Sequence, residues 1–444
     1  MSLTGLIALG GARDRVVETR EHRLALADFA EGGSLSGEFD ALEGRSVILH
    51  VRDMALAAAA LIDLDGWARR IVLCPPGWGP EQLESAARDA EAEAIVHDRL
   101  VAPIDLPIGA ICALPLRNAS ARVRALATEW VLPTSGTSGP PKLVVHTLAT
   151  LTGAIADAPR QEWATMYDIR RYGGLQIFLR ALSGLGSLRL NGPEESLEDF
   201  FTRIGKAGIT HISGTPSHWR KALMSGEAGR IDPDNIRLSG EIADDAVLAA
   251  LRDQYPRARI EHAYASTEAG VAFTIGDGRA GFPAARLDET GQVQLRVVDG
   301  ALRIKSERRA LRFLGRDTPI ADRQGFVDTG DMVELRGDRY VFVGRRGGII
   351  NVGGAKAHPE EIEAVINAHP AVQASRVFAR KNPITGAIVV ADVVLHPGAG
   401  SQIGLEREIL EACRGRLPAY MAPTRLRFVP ELPMTEGGKL LRNG

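Results

Sequence analysis

Short apolar runs alternate with longer helix-like segments over the first 125 residues of the chain. Runs of branched aliphatic residues predict strands, and alanine-rich or amphipathic stretches predict helices. The predicted strands are 46–51, 71–73 and 94–97, and the predicted helices are 54–64 and 81–93. Strands that alternate with helices are typical of a parallel sheet covered on both faces. We therefore predict an α/β fold for this region.

Predicted helices and strands continue to alternate through the rest of the chain. Residues 292–298 and 301–306 alternate in polarity and are joined by Asp299-Gly300, which predicts a β-hairpin. The other predicted helices are 147–157, an apolar helix that ends near 182, 200–207, 359–367 and about 405–415. The other predicted strands are 130–132, 143–146, 209–213, 236–238, 372–380 and 387–396.

Composition and charge limit the classes of protein that this pattern fits. The 444 residues are 45% apolar and 24% charged, which is typical of a globular protein with one large or two to three ordinary domains. The net charge of −2 gives no basic footprint, so we expect no nucleic-acid partner. Cys74, Cys112 and Cys413 are far apart and lack metal-ligand spacing, which suits the reducing cytoplasm. We expect no signal peptide and no membrane span, because the chain has neither a positive leader nor a run of about 18 apolar residues.

A loop rich in hydroxyl groups and glycine, residues 134–142, lies between two predicted strands. Glycines let the backbone approach a bulky anion, while N–H groups, hydroxyls and a lysine supply donors and positive charge. This chemistry suits a triphosphate, although the loop is not a Walker sequence. The alternative is a solvated turn. The candidate phosphate-binding residues are Thr134, Ser135, Gly136, Thr137, Ser138, Gly139 and Lys142.

The loop resembles the phosphate loop of the adenylate-forming superfamily: acyl-CoA synthetases, aryl-CoA ligases, luciferases and stand-alone adenylation domains. That loop reads Thr-Ser-Gly-Thr-Thr-Gly-x-Pro-Lys, and here Ser138 replaces the second threonine of the Thr-Thr pair. Four further motifs follow in the family's order, so that the resemblance spans residues 134–442. It implies a large multi-subdomain N-terminal adenylation domain at 1–346 and a small, mobile α+β C-terminal domain at 347–444.

The second motif, Tyr264-Ala265-Ser266-Thr267-Glu268, resembles the family's Tyr-Gly-x-Thr-Glu. The resemblance places Tyr264 on the adenine, and stacking of a base on an aromatic ring contributes about 1–3 kcal/mol. It gives Thr267 a hydrogen bond to the α-phosphate. It makes Glu268 an oxygen ligand for a Mg²⁺ ion that also bridges phosphates.

Three charged residues nearer the end of the chain complete the nucleotide site that the resemblance implies. Asp331 ends a segment similar to the family's Gly-Trp-x-x-Thr-Gly-Asp, and its carboxylate is expected to accept from both ribose hydroxyls. Arg345 resembles the family's ribose-contacting arginine. Lys439, in the final Gly-Lys motif, is expected to bridge carboxylate and phosphate oxygens during adenylation, and Arg442 follows it.

Two pairs of glycines stand where the family changes conformation. Gly347 and Gly348 lie at the expected interdomain hinge, where a residue must absorb large changes in φ and ψ. The resemblance places the loop of Gly353 and Gly354 at the tunnel that admits the thiol.

The resemblance also implies an acyl pocket. Its candidate substrate-binding residues are Arg171, Tyr172, Gly214, Gly240 and Glu241. Arg171 stands where the family often has a histidine or an aromatic residue. Either it meets a polar group of the substrate, or Arg170 and Arg171 form a solvated helix start. Glu241 either faces solvent or accepts from a donor on the substrate.

The reaction that the resemblance implies is that of an AMP-forming carboxylic acid–CoA ligase, which passes through an acyl-adenylate to a thioester. ATP, Mg²⁺, coenzyme A and a small carboxylic acid are the expected cofactors and substrates. One alternative is an adenylation enzyme that loads the phosphopantetheine thiol of a carrier protein; Tyr167-Asp168 resembles the Phe-Asp with which amino-acid-activating domains hold an ammonium group. Another is an inactive nucleotide-binding homologue, against which the intact Lys439, Glu268 and Asp331 argue.

Overall fold

The computed structural model describes residues 2–9, 14–30, 32–37, 39–99, 101–118, 125–134, 142–153, 155, 160–382, 385–396, 398–399, 401–434 and 440. The α-helices of this part of the chain are α1 (Leu3–Leu9), α2 (Met54–Leu64), α3 (Pro80–Asp89), α4 (Leu148–Thr152), α5 (Tyr172–Ser183), α6 (Leu197–Lys206), α7 (Pro216–Ser225), α8 (Asp245–Gln254), α9 (Pro359–Asn367) and α10 (Gln402–Arg416).

The strands complete a mixed α/β fold with a large N-terminal part and a smaller C-terminal part. They are β1 (Val16–Glu18), β2 (Arg23–Ala25), β3 (Gly32–Gly37), β4 (Ser46–His50), β5 (Arg70–Leu73), β6 (Ala94–His97), β7 (Ile108–Asn118), β8 (Glu129–Thr134), β9 (Lys142–Thr147), β10 (Trp163–Thr165), β11 (Leu188–Leu190), β12 (His211–Gly214), β13 (Asn235–Ser239), β14 (Arg259–Ser266), β15 (Gly270–Ile275), β16 (Phe282–Pro283), β17 (Val293–Val298), β18 (Ala301–Ser306), β19 (Arg312–Phe313), β20 (Val327–Arg336), β21 (Arg339–Arg345), β22 (Ile350–Val352), β23 (Ala355–Ala357), β24 (Val372–Asn382), β25 (Gly386–Leu395) and β26 (Leu426–Phe428).

The first sheet has the strand order β19-β9-β8-β5-β4-β6-β7-β3. Its centre is parallel, because β4 pairs with β5 and β6 in that sense, and β5 pairs with β8. The parallel pairing predicted from the first 125 residues is confirmed at the centre, and the strands at both edges are antiparallel. β9 runs antiparallel to β8, since a short loop joins them and a parallel pair needs a long crossover. β3 is antiparallel to β7 at the other edge.

The second sheet has the order β15-β14-β13-β12-β10-β11-β1-β2. The strands from β10 to β14 are parallel to their neighbours, and β15 turns back against β14. On one face, residues of β12, β13 and β14 pack with α6, α7 and α8 in one apolar core. Helix α5 shares a different core with α2 and with strands of both eight-stranded sheets. Helix α5 therefore packs against both sheets.

A buried arginine holds the end of α5 in place. Arg15, only 1% exposed, donates to the carbonyls of Ala181 and Leu182 at 2.8 Å and of Gly186 at 3.0 Å. Carbonyls in the last turn of a helix lack partners within the helix, and a cation there is favourable. The segment before β1 thus fixes a helix that begins at a predicted pocket residue.

The third sheet and the C-terminal part follow in chain order. The third sheet has the order β16-β21-β20-β18-β17. The predicted hairpin of β17 and β18 is confirmed, and Asp299 and Gly300 take positive φ of 52° and 74° in its turn. Strands β24, β25 and β26 form a further sheet, which shares an apolar core with α9 and α10. The domain boundary at 346/347 stays a prediction.

Local patterns predicted several elements correctly and overextended two. Helices α2 and α9 have the predicted bounds, and Asp53 caps α2 by accepting from two N–H groups of its first turn. The helix predicted at 81–93 ends at Asp89, because Glu91 has a φ of 49°. The helix predicted at 147–157 ends at Thr152; residues 154 and 156–159 lie outside the described residues. Within the described ranges, no helix has both the length and the apolar character needed to cross a membrane.

Candidate active site

The phosphate loop is anchored by a β-hairpin. Thr134 at the end of β8 pairs with Lys142 at the start of β9, which confirms the predicted strand–loop–strand. Lys142 is exposed, and its Nζ lies 5.6 Å from the centre of the Phe313 ring. The predicted phosphate ligands Ser135, Gly136, Thr137, Ser138 and Gly139 lie outside the described residues. The structure therefore places the two ends of the loop side by side and leaves its anion-binding role a prediction.

Three predicted nucleotide-binding residues from three strands meet in one network. The hydroxyl of Tyr264 in β14 donates to Oδ2 of Asp331 in β20, and Nε of Arg345 in β21 donates to Oδ1 at 2.7 Å. Burial, followed by the charge of Asp331, raises the pKa of Tyr264 well above its ordinary value, so the hydroxyl keeps its proton. Each Asp331 oxygen has a further lone pair that is free to accept another donor.

The ring of Tyr264 is already part of an aromatic stack. Its centroid lies 5.0 Å from that of Phe342 and 5.4 Å from that of Phe273, with interplanar angles of 7° and 18°. Such near-parallel contacts hold the ring plane rigidly. How an adenine lies against this stack stays a prediction.

Thr267 and Glu268 form a turn that is bound to the strand after the phosphate loop. The Nε2 atom of the buried His146 lies 2.7 Å from the carbonyl oxygen of Thr267, and Nδ1 lies 2.9 Å from Oγ1 of Thr150. Burial lowers the pKa of His146 to about 4. The imidazole is therefore neutral near pH 7, with its proton on Nε2 because a carbonyl only accepts. Sequence reasoning missed this contact, and its one signal is a histidine in an apolar strand that follows the loop.

Glu268 has the chemistry that a magnesium ligand needs. Its backbone carbonyl accepts from the N–H of Ala310 at 2.9 Å, which fixes the residue, and its side chain is half-buried. Burial lowers the pKa of Arg345, but Asp331 outweighs that effect and raises it, with a smaller contribution from Glu268. No group of three or more His, Cys, Asp or Glu residues suited to a metal occurs in the described ranges. A single carboxylate fits Mg²⁺, which is usually bound by one or two carboxylates together with phosphates and water.

The loops after β12 and β13 are held together by Tyr167. Its hydroxyl lies 2.6 Å from the carbonyl oxygen of Gly214 and accepts from the N–H of Ser239 at 2.8 Å. A Cβ on Gly214 would lie 2.4 Å from the side chain of Met166, and Gly240 has a φ of 85°. The backbone conformation therefore favours glycine at 240, whereas a side chain at 214 would have to displace the end of Met166, and Tyr167 serves the structure of the pocket.

The start of α5 is more buried than expected. Arg170 is 4% exposed and donates to the carbonyls of Val51 and Arg52 and to Asp168. The expectation that it is solvated is wrong, because these acceptors lie on a distant segment that sequence patterns do not reveal. Arg171 is half-buried, and its Nε is enclosed without a hydrogen-bond partner among the described residues.

Tyr172 begins α5 and faces the same region as His146. It is buried, and its ring centroid lies 5.6 Å from that of His146. Burial raises its pKa, so the phenol is neutral. Substrate-binding roles for Arg171 and Tyr172 stay predictions.

Glu241 is half-buried and makes two backbone contacts. Its Oε2 accepts from the N–H of Ser217 in the first turn of α7 at 2.9 Å, and its Oε1 accepts from the N–H of Leu440 at 3.3 Å. These two backbone contacts were not foreseen from the sequence, and a substrate-binding role for Glu241 stays a prediction.

Leu440, near the end of the chain, therefore contacts Glu241 in the loop after β13. Leu440 also forms a β-bridge with Met434. Lys439 and Arg442 lie outside the described residues. The residue after Lys439 is thus bound to the neighbour of Gly240, and the role of the lysine stays a prediction.

The predicted hinge and thiol-tunnel glycines lie in two turns. Gly347 and Gly348 belong to a short 3-10 turn between β21 and β22. Gly353 and Gly354 form the turn between β22 and β23 with φ of 57° and 88°, and the N–H of Gly353 donates to the carbonyl of Thr385 at 2.9 Å. The positive φ values explain the glycine pair. The hinge role of the first pair and the thiol-tunnel role of the second pair stay predictions.

Comparison with known proteins assigns the class that this architecture indicates. Residues 69–307 match the family described as AMP-binding enzyme, and residues 361–439 match the AMP-binding enzyme C-terminal domain. The chain belongs to the family of AMP-binding enzymes.

Individual relatives agree with this assignment. Acyl-coenzyme A synthetase ACSM5, mitochondrial, of Rattus norvegicus is 30% identical over 357 residues, which cover 72% of this chain and 61% of that protein. 2-Succinylbenzoate–CoA ligase of Geobacillus kaustophilus is 28% identical over 383 residues, covering 79% of this chain and 76% of that protein. The chain thus spans about three fifths of the length of the first of these relatives.

A solved structure supports the fold. The anthranilate CoA ligase AuaEII in complex with anthranoyl-AMP aligns with a TM-score of 0.83 and 17% identity, covering 99% of this chain and 95% of that one. At this identity the likeness concerns the fold alone.

Proposed function

We propose that this protein is an ATP-dependent carboxylic acid–CoA ligase that forms AMP. The observation that carries the proposal is the network of Tyr264, Asp331 and Arg345, which lies near the Glu268 turn. Relatives named acyl-coenzyme A synthetase and 2-succinylbenzoate–CoA ligase support this class of reaction.

In the first step, an oxygen of the substrate carboxylate attacks the α-phosphorus of ATP, and pyrophosphate leaves as the bond to the bridging oxygen breaks. The protein contributes positioning and charge neutralisation. The carboxylate of Asp331 accepts from the ribose hydroxyls with the lone pairs that Tyr264 and Arg345 leave open. Thr267 donates to the α-phosphate, and Lys439 contacts the carboxylate and phosphate oxygens.

The pyrophosphate portion of ATP is held by the loop at 134–142 through its N–H groups, its hydroxyls and Lys142. Glu268 is the residue that would hold Mg²⁺, which when bound neutralises phosphate charge. His146 keeps the Thr267–Glu268 turn in register with the strand that carries Lys142.

In the second step, the thiol of coenzyme A loses its proton, its sulfur attacks the acyl carbon, and AMP leaves. We place the pivot at Gly347 and Gly348 and the thiol path beside Gly353 and Gly354. Residues 347–444 then move as the small domain, and the contact between Glu241 and Leu440 is broken.

The contacts of Asp168 weigh against an amino-acid substrate loaded onto a carrier protein. Its Oδ1 accepts from Nε of Arg170 at 2.7 Å and from the backbone N–H of Arg170 at 2.8 Å. Arg170 therefore compensates the negative charge of Asp168, which an ammonium group of the substrate would need as its partner.

Acid-dependent release of pyrophosphate tests the proposal. The protein is incubated with ATP, Mg²⁺ and a panel of aryl, aliphatic and polar carboxylic acids, with and without coenzyme A. At least one acid is expected to release pyrophosphate and to give AMP and an acyl-CoA in equal amounts by mass spectrometry. Acid-dependent AMP without a CoA thioester supports the carrier-protein alternative. If none of the acids causes release of pyrophosphate, the ligase proposal is refuted.

A further inference from the structure

The outer face of the third sheet carries two arginines side by side. Side chains alternate between the two faces along a strand, and directly opposite residues of an antiparallel pair share a face. Leu295 of β17 and Ile304 of β18 are register partners and lie in one apolar core. The adjacent register pair, Arg296 and Arg303, therefore points to the face that is turned away from that core.

The juxtaposition of Arg296 and Arg303 is electrostatically unfavourable. Directly opposite residues on antiparallel strands have Cβ atoms about 4.5–5.5 Å apart, and like charges at such positions destabilise the sheet. A guanidinium stays protonated at neutral pH, so neither arginine can relieve the repulsion by losing its proton. An anion that binds both guanidinium groups removes this cost.

Two carboxylates lie near Arg303, but each has closer partners. Nη2 of Arg303 is 3.6 Å from Oδ2 of Asp328, and Nη1 is 3.9 Å from Oδ2 of Asp322, both beyond hydrogen-bond distance. Asp328 is bound at 3.2 Å by Arg346 and accepts from the N–H of Gly330 at 3.0 Å. Asp322 accepts from two backbone N–H groups of its own turn at 2.9 Å. Among the described residues, Nε of Arg303 is enclosed without a hydrogen-bond partner.

The second guanidinium, that of Arg296, is held in place by an aromatic ring. Its central carbon lies 4.2 Å from the centroid of the Phe326 ring, and Nη1 donates to Oε1 of Gln324 at 2.6 Å. The cation–π contact and the hydrogen bond position the group, and the hydrogen bond uses only one of its five N–H donors. Because the side chain is exposed, the other donors can reach a ligand.

This positive face borders the strand that carries a predicted nucleotide-binding residue. Arg303 is the register partner of Asp328, which precedes Asp331 by three residues in β20. Arg346, which binds Asp328, immediately precedes the glycines of the predicted pivot. Lys305 is exposed, lies two residues after Arg303 on β18 and adds a further positive charge to the same face. The face thus adjoins the segment at which we place the movement that precedes the thiol step.

We propose that Arg296 and Arg303 bind a phosphate group of the nucleotide end of coenzyme A. The planar donors of a guanidinium match phosphate oxygens with parallel hydrogen bonds. Coenzyme A carries a diphosphate and a ribose 3′-phosphate, whereas the phosphates of ATP are assigned to the loop at 134–142. This inference rests on the proposed function. It adds a site that selects coenzyme A over a pantetheine thiol without a nucleotide, which is the form that a carrier protein presents.

The test compares coenzyme A, 3′-dephospho-coenzyme A and pantetheine as acceptors in the thiolysis of a supplied acyl-adenylate. Arg303→Gln and Arg296→Gln are each expected to raise KM for coenzyme A about tenfold, since a hydrogen bond to a charged group is lost. Both variants are expected to leave kcat/KM for pantetheine unchanged, because it carries no phosphate. If the variants leave KM for 3′-dephospho-coenzyme A unchanged, the site binds the 3′-phosphate; if they raise it equally, the site binds the diphosphate.

Arg257→Gln is the matched control, because Arg257 is an exposed arginine that is paired with Asp232, and its loss changes the net charge by the same amount. It is expected to keep the wild-type KM for coenzyme A. Arg303→Gln is expected to keep or raise the melting temperature, since a repulsion is removed. A wild-type protein that uses pantetheine as well as coenzyme A overturns the inference without any variant. Equal losses for coenzyme A and pantetheine in Arg303→Gln also overturn it and leave a structural role.

Calorimetry separates this inference from the ligase itself. If no acid of any kind releases pyrophosphate, the ligase proposal fails, and titration of adenosine 3′,5′-bisphosphate into the protein with AMP decides about the arginine site. Saturable binding that is lost in Arg303→Gln and kept in Arg257→Gln supports the site. Equal binding by the wild-type protein and Arg303→Gln refutes it. Inorganic phosphate that binds as tightly as the bisphosphate also refutes it, because the face then binds any anion.

Discussion

The substitution Glu241→Gln tests whether the C-terminal segment is held at the pocket for the first half-reaction. Glu241 accepts one backbone N–H with each oxygen, from Ser217 and from Leu440. Glutamine keeps one acceptor and turns the other into an NH₂ donor, which repels an N–H group. The amide oxygen is expected to stay with Ser217 at the shorter distance, so the contact with Leu440 is the one lost.

The magnitude follows from the geometry of the lost contact. Hydrogen bonds to charged groups contribute about 1.5–3 kcal/mol. The 3.3 Å distance to Leu440 and the half-buried carboxylate place this bond at or below the low end. We take about 1–1.4 kcal/mol, which lowers the occupancy of the docked segment, and hence the adenylation rate, by about fivefold to tenfold. The thiol step needs the segment released, so thioester formation from a supplied acyl-adenylate is expected to be unchanged or faster.

The assay measures the two half-reactions separately, by pyrophosphate release and by thiolysis of the acyl-adenylate. Thr215→Ala is the control, because Thr215 caps the same helix, α7, through the N–H of His218. Loss of such a cap destabilises a helix by about 1 kcal/mol. It is expected to lower thermal stability without separating the half-reactions. Equal slowing of both half-reactions in Glu241→Gln would refute the docking role.

Three further outcomes are expected. Lys439→Ala should abolish adenylation and leave thiolysis of a supplied acyl-adenylate largely intact, so an equal loss in both assays contradicts its assignment. Glu268→Gln should raise the Mg²⁺ concentration needed for half-maximal rate, since one hard oxygen ligand is lost; an unchanged Mg²⁺ titration assigns the metal to another residue. The pKa of His146 is about 4 in the folded protein and about 6.5 in the unfolded chain. Its contribution to the free energy of unfolding is therefore fully present above pH 6.5 and is lost as the pH falls towards 4, and the loss is at most about 3 kcal/mol. His146→Gln should therefore flatten the fall of the urea midpoint between pH 6.5 and 4, and an unchanged slope would show that His146 is not the titrating group.

The local pattern of residues was sufficient to predict features that depend on neighbouring residues. The strand–loop–strand around residues 134–142, the hairpin at Asp299-Gly300 and the bounds of α2 and α9 follow from polarity period, turn residues and capping, which act within a few positions. The order of five motifs then indicated the family of AMP-binding enzymes, which residues 69–307 confirm.

Such local patterns could not predict side-chain partners that are far apart in the sequence. Arg170 was interpreted as a solvated helix start and is buried against the carbonyls of Val51 and Arg52, about 118 residues earlier. Glu241 has two backbone partners, 24 and 199 residues away, that no local pattern indicates. The charge and polarity of such residues indicate that they need partners. Which residues become the partners is determined only by the packing of the sheets.

The sequence by itself determined the family, because the residues that carry the resemblance occur in short motifs with strict spacing. The tertiary structure alone decided how those motifs meet: Asp331 contacts Tyr264 from 67 residues away, and Arg345 joins them from the neighbouring strand. The physical reason is that a motif specifies local backbone geometry and donor chemistry, whereas the net charge of a pocket depends on which distant strands and helices close around it.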